Sequence, residues 1–147
     1  MRSEISLPQC QYRQLENGIH EFVFLSNTRL AVDNYFSILE TSALAKGEQV
    51  PDVIRVLIEL RQIGMPPVTY MMLRYRAFVK SHKDRIPTVR IVYLYRPGFV
   101  LSLVQSFIDL ISERKYAKRR FFPVSERAQA EAWLFEVVTR EEPALLK

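Results

Sequence analysis

The feature that most limits the folds open to this chain is a pair of strand-type runs, Val53 to Leu60 and Thr88 to Tyr95, with a helix-period segment between them. In the first run Ile54, Val56, Ile58 and Leu60 share one side while Arg55 and Glu59 take the other, the period-2 pattern of a central strand. The second run is rich in β-branched and aromatic residues. Between them Pro66-Pro67 stiffens a turn, and Val68, Met71, Met72, Tyr75, Phe78 and Val79 recur at helical spacing. Two strands joined through a helix of that length lie parallel in one sheet.

The same alternation extends both ways. Gln11 to Leu15 and Ile19 to Leu25 flank Glu16-Asn17-Gly18, where Asn-Gly offers the positive φ angles of a tight hairpin. Ser26, Asn27 and Thr28 are candidate N-caps for a helix carrying Val32, Tyr35, Phe36, Leu39 and Ala43 and ending at Lys46-Gly47. After Pro97-Gly98, the residues Val100, Leu103, Val104, Phe107, Leu110 and Ile111 predict a further amphipathic helix. Lys118 to Phe122 reads as a last short strand, and Ser125 as the cap of a final helix reaching about Val138. The order is ββαβαβαβα: one α/β domain over 1–147 with a mixed, mostly parallel sheet edged by one antiparallel hairpin strand. The core is expected over about 10–138, with frayed ends at 1–9 and in the tail.

A chain of 147 residues with 48% hydrophobic content can close its own core, which excludes disordered, collagen-like and disulfide-stapled classes. Its one cysteine, Cys10, has no partner for a bridge, no signal-type apolar segment opens the sequence, and no uncharged stretch nears the roughly 20 residues of a membrane span. A cytoplasmic location is expected. The net charge of +5 is lopsided: residues 1–73 carry 6 basic and 8 acidic side chains, residues 74–147 carry 15 and 8.

Three segments carry a family resemblance: Gly18-Ile19-His20-Glu21-Phe22-Val23-Phe24 entering a helix, Val56-Leu57-Ile58-Glu59-Leu60-Arg61 entering another through a short loop, and Ala132-Trp133-Leu134 in the last helix. With the element order they resemble the STAS domain (sulfate transporter and anti-sigma factor antagonist), in its SpoIIAA-like branch, whose fold is shared with Sec14-type lipid-binding domains. The resemblance runs from about Tyr12 to Val138. It implies a domain that regulates through protein contacts. In the anti-sigma antagonists a loop reading Asp-Ser-Ser-Gly-Leu carries a serine phosphorylated by a partner kinase; the matching stretch here is Pro67-Val68-Thr69-Tyr70-Met71. Thr69 keeps the hydroxyl, while the acidic residue, the first serine and the glycine are missing. A phosphate on Thr69 would sit near a helix N-terminus, where the helix dipole favours it; the plainer reading is a threonine that satisfies backbone donors of the first turn.

Catalytic signatures are absent from the sequence: no Gly-x-Ser-x-Gly elbow, no glycine-rich phosphate loop and no Cys/His metal spacing. No cofactor, metal or catalytic residue is therefore expected, and His20 and His82 read as structural or surface residues. Ligands of open α/β sheets gather beyond the carboxyl ends of the strands, a rim that here holds Ser26, Asn27, Glu59, Arg61, Gln62, Tyr95 and Arg96. Glu59 either orients a polar ligand there or pairs with Arg55 or Arg90 on the sheet face. Met71, Met72, Phe78, Phe99, Phe107 and Trp133 either fill the core or line an apolar cavity. The basic residues Arg76, Lys80 and Lys83, and Arg114, Lys115, Lys118, Arg119 and Arg120, either solvate a surface or attract anions.

These observations lead to an expectation of a non-enzymatic regulatory or interaction domain with a protein partner and a small ligand at the sheet rim. Two alternatives stay open: a carrier of a lipid or other apolar small molecule, and a binder of phosphate-rich partners through the basic second half, although no nucleic-acid module accompanies that half. Unprotected sheet edges allow a homodimer.

Overall fold

The computed structural model describes residues 4–43, 53–60, 67–82, 88–96 and 117–136. They form a mixed α/β fold with six strands in one sheet, ordered in space as in sequence: β1 (Glu4–Ser6), β2 (Cys10–Gln14), β3 (His20–Phe24), β4 (Val53–Leu60), β5 (Thr88–Tyr95) and β6 (Ala117–Pro123). The first two pairings are antiparallel and the three from β3 to β6 are parallel. Helices α1 (Arg29–Ile38), α2 (Val68–His82) and α3 (Arg127–Leu134), a π-helical turn over Leu39–Ala43 and a 3-10 turn over Val124–Glu126 complete the described elements.

The helices divide between the two faces of the sheet. Ile54, Val56, Ile58 and Leu60 of β4 meet Val32, Tyr35 and Phe36 of α1 and Met71 and Phe78 of α2 in the larger core. That core is filled by ring contacts such as Phe22–Tyr35 at 4.8 Å and Phe36–Phe78 at 5.6 Å between centroids. On the opposite face Leu57, Val92, Leu94 and Phe122 pack against Ala130 and Leu134 of α3. Being eight residues long, α3 covers only part of this second face, over β4, β5 and β6.

Several local expectations are revised. Residues Glu4–Ser6, read as a frayed end, pair with β2 through Glu4↔Arg13, Ile5↔Tyr12 and Ser6↔Gln11, so the sheet is edged by two antiparallel strands. The hairpin turn is a three-residue loop: the Leu15 N–H donates to the Ile19 carbonyl at 2.8 Å, the Gly18 N–H donates to the Leu15 carbonyl at 2.9 Å, and only Gly18 takes a positive φ, 95°. Asn17, expected to share the positive φ, instead accepts the Ile19 N–H on its side chain at 3.2 Å, giving a type I turn with a glycine bulge. Of the three candidate caps before α1, Thr28 takes the role, accepting the Ala31 N–H at 3.3 Å. Ser125 does not cap α3: it lies in a 3-10 turn, Val124–Glu126, and α3 starts at Arg127 with no side-chain cap and stops at Leu134. The helix expected over Val100 to Ile111 lies outside the described residues.

At the far end of α3 the carbonyls orphaned by helix termination find donors in the sheet. The Arg90 Nη2 donates to the Trp133 carbonyl and the Arg55 Nε to the Leu134 carbonyl, each at 2.9 Å. The same guanidiniums lie over aromatic rings, Arg90 at 4.0 Å from the Trp133 ring centre and Arg55 at 4.4 Å from that of Phe135. Arg90 is almost fully buried, 3% exposed, because it ties α3 to the sheet.

Candidate functional site

The part of the second face that α3 leaves open lies over β1 to β4, and its floor follows from strand register. One row runs Glu4, Arg13, Glu21 across β1, β2 and β3; the next, nearer the carboxyl ends of the parallel strands, runs Ser6, Gln11, Val23, Glu59. Both rows point away from the larger core because Cys10, Tyr12, Phe22 and Phe24, which alternate with them, point into it. With Arg127 as a wall, these residues and neighbouring Ile5 and Tyr12 enclose a cleft of about 530 Å³. That volume falls within the range of small-molecule sites.

Glu21 organises the floor. It is 4% exposed, and a carboxylate so placed persists in charged form only if paired and hydrogen-bonded. The Arg13 Nε donates to its Oε1 at 2.6 Å and the Arg127 Nη2 donates to its Oε2. Burial alone would push the Glu21 carboxyl up; the hydrogen bonds and charges of Arg127 and Arg13 outweigh it and hold the group below its ordinary value. Arg127 is itself held by Glu131, one helical turn on, at 2.8 Å. The result is an Arg13–Glu21–Arg127–Glu131 chain that fixes two guanidiniums beside the cleft, Arg13 with more than half of its side chain still open to solvent.

Of the rim residues expected from sequence, Glu59 lines this cleft and Arg96 stands beside it, the Arg96 Nη2 lying 3.9 Å from the Glu59 Oε2. Arg55 and Arg90, the partners considered for Glu59 on the sheet face, donate to the carbonyls ending α3. Ser26 and Asn27 lie in the turn that caps α1, where Ser26 bonds the Thr28 hydroxyl at 2.8 Å, and Tyr95 is half-buried at the end of β5. Arg61 and Gln62 lie outside the described residues.

Three residues that build the cleft were not singled out from sequence: Arg13, Glu21 and Arg127. A signal for the first two was present, because a hairpin centred on Asn17 sets residue 13 opposite residue 21. Arg127 carried none, being brought in by tertiary packing.

The described basic candidates do not share one surface. Arg76 and Lys80 are exposed on α2, Lys118 and Arg120 point to the opposite face beside Arg90 and Val92, and Arg119 turns inward. Arg119 lies 4.9 Å from the Tyr75 ring centre; burial works against its charge, but Tyr93 and Tyr75 outweigh that and keep it firmly protonated. Lys83, Arg114 and Lys115 lie outside the described residues. Thr69 is exposed in the first turn of α2. Met71 and Phe78 belong to the larger core and Met72 packs at its margin, Trp133 packs against the second core, and Phe99 and Phe107 lie outside the described residues.

His20 sits away from the cleft, its Nδ1 2.8 Å from the Tyr12 hydroxyl. Burial holds its pKa below the ordinary value, so it is neutral near pH 7. Among the described residues no group of three or more His, Cys, Asp and Glu side chains is placed to hold a metal ion, and no helix is long and apolar enough to cross a membrane. Compared with known proteins, the chain matches no family model, no curated protein and no solved structure.

Proposed function

We propose that this chain is a STAS-like regulatory or interaction domain that binds a small polar ligand in the cleft and does so without catalysis. The observation that carries the reading is the buried Glu21 carboxylate holding Arg13 and Arg127 beside an open volume of about 530 Å³. A sheet face that merely met water would not need a buried carboxylate bonded to two arginines. The position supports the reading too, since Glu59 and Val23 stand at the carboxyl ends of parallel strands, where open α/β sheets take their ligands. Leu30 on α1 and Leu73 on α2, 48% and 59% exposed, lie on the outer helical layer with exposed Thr69 and offer a protein partner a surface away from the cleft.

Amide chemical-shift mapping of the full chain against pools of polar metabolites tests this directly. The expected result is that a binding pool shifts the signals of Gln11, Val23 and Glu59 while the pool compounds stay chemically unchanged. Shifts confined to other parts of the molecule, or the appearance of product signals, would overturn the reading.

A further inference from the structure

Which polar groups of the cleft are already engaged sets the chemistry of its ligand. The charged side chains are engaged with one another: Glu21 bonds Arg13 and Arg127, Glu131 bonds Arg127 as well, and Glu59 stands 3.9 Å from Arg96. Glu4, at the outer margin, lies opposite Arg13 in the β1–β2 register. An ionic ligand would have to displace one of these partners or bring its charge beside one of like sign, and either carries a Coulombic cost. The uncharged polar side chains, by contrast, are open. Ser6 and Gln11 lie opposite each other on β1 and β2, both exposed, and neither side chain makes a hydrogen bond among the described residues.

We infer that the cleft takes a neutral polyhydroxylated ligand, a sugar or sugar alcohol, held through Ser6, Gln11 and the outer guanidinium nitrogens of Arg13. This rests on the reading of the cleft as a ligand site. A hydroxyl both donates and accepts, so several of them on one small molecule can meet the Ser6 hydroxyl, both ends of the Gln11 amide, and the Arg13 N–H groups beyond the Nε that Glu21 takes. None of these contacts disturbs an ion pair.

The rest of the lining agrees with that chemistry. Val23, next to Gln11 in the row, gives the C–H side of such a ligand an apolar contact. Gln11 and Arg13 are exposed, so a ligand lying on them keeps its outer hydroxyls in water. An apolar ligand would instead cover these two side chains and leave their donors without partners.

The test is an NMR titration of the full chain with glucose, mannitol, sucrose and trehalose, and in parallel with glycine, citrate and spermidine as charged probes. At least one of the neutral compounds is expected to shift the Ser6, Gln11 and Val23 amide signals saturably, with an affinity that stays constant between about 0.05 M and about 0.5 M salt because no net charge is bound. Gln11→Ala is expected to weaken that compound about tenfold, and Glu4→Gln to change it less than about twofold, with amide signals outside the cleft confirming that both variants are folded. A charged probe that shifts these signals where no neutral one does, or an affinity that falls steeply with salt, would overturn the polyol inference and leave the cleft reading standing. So would a Gln11→Ala variant that binds as tightly as the parent. Failure of every probe, neutral and charged, to move the signals would overturn both.

Discussion

Glu21 and Arg127 are 106 residues apart in the chain and share a hydrogen bond at the floor of the cleft. That contact joins the hairpin to the start of α3, so the polar site and the packing of the last helix depend on one carboxylate.

Replacing that carboxylate tests its role in the fold. Glu21→Gln is expected to cost about 1–2 kcal/mol at pH 7, because it takes the counter-charge from half-exposed Arg13 and leaves Arg127 with Glu131 alone. The cost depends on pH in a defined direction. The folded-state pKa of Glu21 lies below the ordinary 4.5, so its contribution is fully present above that value and is lost as pH falls through the lower folded value. Urea melts of wild type and variant between pH 7 and pH 3 should converge at the acid end; a gap that stays constant would contradict the pairing.

Arg90 ties the carboxyl end of α3 to the sheet and stacks on Trp133, the single tryptophan of the chain. Arg90→Met keeps the bulk but removes the donor and the cation. It is expected to cost about 2 kcal/mol and to shift Trp133 emission to the red as α3 loosens. Unchanged emission with unchanged stability would show that the helix end is held by its apolar contacts alone.

Cys10 is fully buried, and burial pushes its thiol up to about 12. The thiolate is the reactive form, so alkylation at pH 8 should follow global unfolding rather than proceed from the native state. Labelling should therefore slow as stability rises, measured by mass spectrometry across a urea series. Rapid labelling in the absence of urea would contradict the placement of Cys10 in the core.

Gly18 holds a φ of 95° in the hairpin, and a Cβ there would meet no atom within 4 Å. Gly18→Ala should therefore act through backbone strain alone, costing about 1 kcal/mol with no change in the position of β2 or β3. Thermal melts and the strand amide signals check both halves of that statement.

How much of this was legible in the sequence varies with what stabilises each part. The strands Val53–Leu60 and Thr88–Tyr95 coincide with their sequence patterns, because a strand covered on one or both faces must carry a continuous apolar side. Glu4–Ser6 escaped notice because three residues are too few for a period, and its stability comes from pairing with β2. Lys118, Arg119 and Arg120 read as one basic run, yet a strand sends neighbours to opposite faces, so Arg119 turns under Tyr75 while Lys118 and Arg120 do not. Glu59 was visible as an acid at the end of a buried strand. The Arg13–Glu21 pair was implicit in the hairpin register, but the third member, Arg127, arrives from a helix whose docking no local pattern encodes.

A crystal structure of the full chain soaked with a polar metabolite that shifts the Gln11, Val23 and Glu59 amide signals tests the central claim most directly. The account predicts ligand density on the second face of the sheet, in contact with Arg13 and Arg127, with Glu21 still bonded to both arginines beneath it. Density on the α1–α2 side or at any other place, with this cleft empty, would contradict it.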